Sequence, residues 1–152
     1  MTTLPLTRAS IEPRVAGIER DLALLQEFAL LSDTDFAKDV IQDRTHHHLR
    51  LAIEGMLNIA SHIISRFPGG RETEYKKIMA KLGELGILNR EFVTNKLVPI
   101  AGYRNRLTHL YAEVTMLELH KILKNDLGDI EKFIAGINVL LQTPEKFGLT
   151  IE

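Results

Sequence analysis

The sequence predicts an all-α protein, an up-and-down helical bundle of four to five helices. Three observations carry that prediction. Apolar residues recur at steps of three and four, the spacing that lines one face of a helix with 3.6 residues per turn. Strand-like alternation is scarce. Clusters of turn formers, above all Ser32-Asp33-Thr34-Asp35 and Pro68-Gly69-Gly70, cut the periodic stretches into bundle-sized lengths.

The elements follow in order. A first helix is expected from about Ser10, with Ser10-x-x-Pro13 as its cap pattern and Val15, Ile18, Leu22, Leu25 and Ala29 on one face. The Ser32–Asp35 cluster should break the chain and supply a cap. A long second helix is expected over Phe36–Arg66, carrying Leu49, Ile53, Leu57, Ala60 and Ile64, and Pro68-Gly69-Gly70 should stop it. A third runs from about Glu72 to Leu85, with Gly86 as terminator. Asn89 reads as the cap of a fourth helix bearing Val93, Leu97, Ile100, Leu107, Leu110 and Val114. Pro99 lies inside it and should cost a hydrogen bond and kink the axis. Thr115-Met-Leu-Glu118 is a capping box for a fifth helix, whose stripe is Leu119, Leu123, Leu127, Ile130, Ile134, Ile137 and Leu141. Pro144 should end it, leaving Phe147–Glu152 as a short tail.

Composition bounds the function. At 152 residues the chain is expected to form one domain, 1–152, with no repeats. A formal net charge of −1 gives no global basic field, so any nucleic-acid contact must come from local clusters or a dimer that gathers them. The absence of cysteine excludes disulfides, thiolate metal sites and cysteine nucleophiles, and it fits a cytoplasmic location. The start has no long apolar stretch, so no signal peptide is expected, and no run approaches the roughly 20 apolar residues of a membrane span.

The chemistry concentrates in Arg104-Asn-Arg-Leu-Thr-His109-Leu-Tyr111. A guanidinium can fork onto a phosphate and stabilise its growing charge. An imidazole that titrates near neutrality can take a proton from a ribose 2′-hydroxyl or give one to a leaving 5′-oxygen. Asn105, four residues before His109, shares a helical face with it and could orient the ring. Arg104 and His109 lie roughly 140° apart around an ideal helix, so they do not meet by stacking alone. Together these groups suit RNA cleavage without a metal or other cofactor. One His cannot easily serve as acid and base at once, and a two-fold dimer would supply a second. Against this stands the ordinary reading that Arg and His on a helix are common and that Arg-x4-His arises by chance.

The wider segment Ile100-Ala-Gly-Tyr103-Arg104-Asn105-Arg-Leu-Thr-His109-Leu-Tyr111-Ala-Glu-Val114 resembles the signature of the HEPN superfamily, in its HepT-like toxin branch. Arg50-Leu-Ala-Ile-Glu54-Gly-Met-Leu-Asn58-Ile-Ala-Ser-His62 resembles that family's long second helix, and the likeness covers about Asp43 to Leu141. The resemblance implies an all-α homodimer whose paired motifs line one cleft. It implies a metal-independent endoribonuclease toxin acting on RNA, with a nucleotidyltransferase antitoxin as partner and no membrane association. Arg104, Asn105 and His109 carry over as catalytic residues. Tyr111 carries over as the site of AMPylation, which would place phosphate charge and bulk beside the catalytic pair. Arg106 and Thr108 stand where relatives are expected to be mostly apolar; they either extend a phosphate surface or face solvent.

Other clusters weigh less. His46-His47-His48 invites a metal, yet consecutive helical residues diverge by about 100°, and solvated or packed rings are the ordinary explanation. His62 and His120 are expected on helix flanks. Glu54, Asn58 and His62 form a polar ladder that faces either a dimer cleft or, more simply, water. Arg71, Lys76, Lys77 and Lys81 make the third helix basic, which usually means a solvated face. The rival function is a non-catalytic helical dimer that docks a nucleotidyltransferase; a weaker third is a phosphate site at Arg104 without chemistry.

Overall fold

The computed structural model describes residues 2–108 and 114–152, and the described residues contain helices and no strand. Helix α1 spans Arg8–Ala29 and buries Ile11, Val15, Ile18, Leu22, Leu25 and Phe28. Ser10 is not its cap. Thr7 holds that position without a side-chain bond, and the Ser10 carbonyl instead accepts from Arg14 Nη1 at 2.6 Å. Pro13 lies inside the helix and deprives the Ala9 carbonyl of its intrahelical donor.

The acidic cluster forms a helix of its own, α2 (Asp33–Phe36), capped by Ser32, whose hydroxyl accepts from the Asp35 N–H at 3.1 Å. Phe36 closes that turn fully buried, so the long helix α3 starts only at Asp39 and runs to Ser65. Its expected stripe is buried, and Ala52, Met56, Ile59 and Ile63 join it. The wider apolar arc has a reason: α3 packs against α1 on one side and against later helices on the other. Where α1 and α3 cross, a Cβ on Gly55 would stand 2.9 Å from Ile18 Cγ1, so glycine sets the closeness of the approach.

Helix α4 covers Tyr75–Glu84. Gly86 ends it at φ +72°, with Ile87 N–H bonding the Leu82 carbonyl at 2.9 Å and Gly86 N–H the Gly83 carbonyl at 3.2 Å. The fourth expected helix is a composite. Asn89 Oδ1 caps α5 (Arg90–Phe92) by accepting from Phe92 N–H, a π turn follows at Val93–Leu97, and α6 runs Val98–Thr108. Pro99 explains the insertion. Proline cannot donate to the carbonyl four residues back, and widening the preceding turn to i→i+5 bonding carries the ladder past it. The Val98 N–H accordingly reaches the Val93 carbonyl. Leu110, expected on this helix, lies outside the described residues, and Val114 is buried but not helical.

Helix α7 (Met116–Gln142) buries the whole predicted stripe plus His120, Ile122, Phe133 and Leu140, and packs on α1. The C-terminal segment is anchored rather than a loose tail. Leu6 N–H bonds the Thr150 carbonyl and Glu152 N–H the Leu6 carbonyl, each at 2.8 Å, in an isolated parallel bridge between Leu6 and Ile151. Among the described residues, no helix is long and apolar enough to cross a membrane.

Candidate active site

Helix α6 presents its arginines to two different neighbours. Arg104 turns toward α3 and α4. Its Nε lies 3.5 Å from Glu54 Oε1, its guanidinium carbon sits 4.8 Å from the centre of the Tyr75 ring, and Nη1 donates to Asn105 Oδ1 at 3.4 Å. Glu54 also receives Arg50 Nη1 at 3.3 Å from one turn earlier on α3, so one carboxylate serves two cations. A pocket of about 230 Å³ opens here, lined by Glu54, Leu57, Asn58, Tyr75 and Arg104. Arg104 is thus oriented by a carboxylate and an aromatic face while its side chain stays 26% exposed to whatever enters.

Arg106 turns the other way, to the start of α7. It forks onto Glu118, with Nη1 to Oε1 at 2.7 Å and Nη2 to Oε2 at 2.9 Å, and it lies over the Tyr103 ring. The hydrogen bond and charge of Arg106 hold the Glu118 carboxyl below its ordinary value. Arg106 therefore joins the end of α6 to α7, across the stretch that carries the rest of the motif, instead of extending a phosphate surface. Thr108 faces solvent and returns its hydroxyl to the Arg104 carbonyl. Tyr103 is half-buried; burial, then the carboxylates of Asp126 and Glu118, push its phenol up. At Gly102 the helix comes close to a side chain: a Cβ there would lie 3.0 Å from Lys76 Cε on α4.

Asn105 is exposed beside Arg104. His109 and Tyr111, the remaining motif residues, lie outside the described residues. Two partners of Arg104 escaped the sequence reading. Tyr75 gave no local signal. Glu54 did, as part of the Glu54/Asn58/His62 ladder on an otherwise apolar helix, and the structure places Glu54 and Asn58 of that ladder in the pocket beside the motif arginine.

The other histidines separate. His48 Nδ1 pairs with Asp21 Oδ1 of α1 at 2.8 Å, and the His47 ring meets the His48 ring edge-on. Burial holds His46 below its ordinary value, opposed by Asp43. His62 Nε2 accepts the Thr7 N–H at 3.1 Å. His120 is a core residue, not a flank residue: it is 3% exposed, packs on the Phe36 ring at 4.1 Å, and bonds Asp33 Oδ1 through Nδ1 at 2.9 Å. The aromatic contact with Phe36 from a distant segment explains that burial. On α4, Lys77 pairs with Glu74 and Lys81 with the Gly69 carbonyl, as a solvated face would.

The described residues form an all-α bundle that orients an arginine beside a small pocket, on a helix that follows a π turn at a proline. Within it, residues 18–137 match the family model of the HepT-like ribonucleases, and the chain belongs to that family. It is 28% identical over 137 residues to the tRNA nuclease HepT of Aphanizomenon flos-aquae (strain 2012/KM1/D3), covering 90% of this chain and 92% of that one. The fold is similar to that of the Shewanella oneidensis HEPN toxin solved tri-AMPylated in complex with MNT antitoxin (TM-score 0.75, 24% identity, 85% of this chain and 96% of that one). It is also similar to that of the Bacillus subtilis cytosolic protein YutE (TM-score 0.73, 23% identity, 90% and 92%).

Proposed function

We propose that this chain is a metal-independent endoribonuclease toxin, active as a homodimer whose cleft gathers two copies of the Arg104–Tyr111 motif. The observation that carries the reading is the placement of Arg104, fixed by Glu54 and Tyr75 at the edge of an open polar pocket, in a chain of a ribonuclease family. Arg104 pairs with the scissile phosphate and stabilises the charge that builds in the transition state. His109 takes the proton of the ribose 2′-hydroxyl, whose oxygen attacks phosphorus. The 5′-oxygen leaves with a proton from the second copy's imidazole, and a 2′,3′-cyclic phosphate remains. Asn105 orients the imidazole. Tyr111 is the regulatory residue: a nucleotidyltransferase antitoxin transfers AMP to it, and the added phosphate repels an anionic substrate. Transfer RNA is the substrate to try first, given the curated relative.

The test is cleavage of unfractionated transfer RNA by purified protein in EDTA, beside His109→Ala and Arg104→Ala at matched melting temperature. Cleavage should persist in EDTA, leave cyclic-phosphate ends and fall at least 100-fold in both variants. Wild-type-like cleavage by a folded His109→Ala protein would sink the mechanism. No cleavage by protein shown by intact mass to carry no AMP would leave a module that docks a nucleotidyltransferase.

A further inference from the structure

The polar face of α3 does not end at the Arg104 pocket. Asn58 lines that pocket and also a second groove of about 630 Å³, whose other walls include Arg14, Ser61, His62, Ser65 and Arg71. Glu54 and His62 are eight residues apart, so the two openings follow one another along about 12 Å of the same helix. The second groove combines two guanidinium groups from different segments, Arg14 of α1 and Arg71 beyond the Pro-Gly-Gly turn, with hydroxyl and amide side chains between them. That is donor chemistry for phosphate oxygens.

The charges that face the groove come from several segments. Arg14 and Arg71 are exposed, and Arg14 spends one nitrogen on the Ser10 carbonyl, which leaves the rest of its fork. Arg66 adds a third positive charge nearby. Among the described residues Glu72 is the one carboxylate in the lining, and its Oε1 is turned onto the backbone N–H groups of Thr73 and Glu74. His62 accepts the Thr7 N–H through Nε2, and burial, then Arg66 and Arg14, hold its imidazole below the ordinary value. A local excess of cation therefore sits on a chain whose net charge is −1.

We infer that the groove between Arg14 and Arg71 is a second RNA-backbone subsite, which takes a phosphate of the same strand whose scissile phosphate lies at Arg104, with Asn58 at the junction. The inference rests on the ribonuclease reading above. It gives Arg14 and Arg71 a role in holding substrate and none in bond cleavage.

The experiment measures binding of unfractionated transfer RNA to the full-length protein in the His109→Ala background, across a salt series, with cleavage by the active protein run alongside. Arg14→Ala/Arg71→Ala should weaken binding about tenfold and flatten the slope of log K against log salt by about one to two. In the active protein it should raise KM with kcat little changed. Arg14→Lys/Arg71→Lys should keep most of the salt slope. Both positions are exposed, so melting temperatures should match. Unchanged affinity and slope in a double variant, beside a wild type that binds and cleaves, would overturn the subsite and leave the ribonuclease reading standing. Unchanged RNA binding with lost binding of a nucleotidyltransferase antitoxin would also overturn it, assigning the groove to the protein partner. A wild type that neither binds nor cleaves would overturn both.

Discussion

The two sides of α6 treat their arginines differently. Toward α3 and α4, Arg104 has one carboxylate at 3.5 Å, shared with Arg50, and an aromatic ring beneath it. Toward α7, Arg106 has a carboxylate in a two-bond fork at 2.7 and 2.9 Å. The two residues are two positions apart, so an ideal helix points them roughly 200° from each other. Fork-shaped, charge-assisted pairing engages the terminal nitrogens of Arg106 and makes it a strut. A longer contact through Nε orients Arg104 and keeps its outer edge available for an anion. On the proposed reading, neighbouring residues of one type thus divide into a working group and a structural one, and the division comes from what the facing helices present.

That contrast can be broken or sharpened. Its largest expected effect is on the working side. Glu54→Gln removes the charge that aims Arg104, and single-turnover cleavage should slow about tenfold, a loss of about 1.4 kcal/mol in transition-state stabilisation. Unchanged melting by calorimetry would keep this a positioning effect, and a faster variant would mean that Glu54 competes with the phosphate instead. On the structural side, Glu118→Gln should cost about 1 kcal/mol or less because the pair is partly exposed. That loss lowers the melting temperature by roughly 2–4 °C, while cleavage below the transition stays within about threefold of wild type. The smallest effect is with pH. Glu118 titrates below its ordinary 4.5, so its contribution to stability is present above that value and is lost as pH falls through the lower folded value. Acid unfolding curves of wild type and Glu118→Gln should separate above the ordinary carboxylate range and converge as pH falls through the lower folded value; a constant offset at all pH values would deny the linkage.

Much of this was legible in the sequence because it is local. The α7 stripe, the Asn89 cap and the Gly86 stop each depend on residues within a turn of one another. The Thr115/Glu118 box was half legible. Thr115 Oγ1 accepts the Glu118 N–H at 3.1 Å, but the Glu118 carboxylate goes to Arg106, whose charge outbids a backbone N–H. Ser10 misled because a hydroxyl near a proline mimics a cap wherever it falls. Glu54 against Arg104, Tyr75 beneath it and Phe36 against His120 join residues 29 to 84 positions apart; such contacts have no spacing to read, only a polar residue out of place on an apolar face. The catalytic assignment of His109 and the regulatory one of Tyr111 rest on the motif, and both residues lie outside the described structure.

The most direct measurement is a crystal structure of the protein with transfer RNA carrying a 2′-O-methyl group at the mapped cleavage position. The account predicts the scissile phosphate within hydrogen-bond distance of the Arg104 guanidinium, with Arg106 still forked onto Glu118. A phosphate seated on Arg106, or one held away from Arg104 while Glu54 keeps it, would contradict the division of labour on α6.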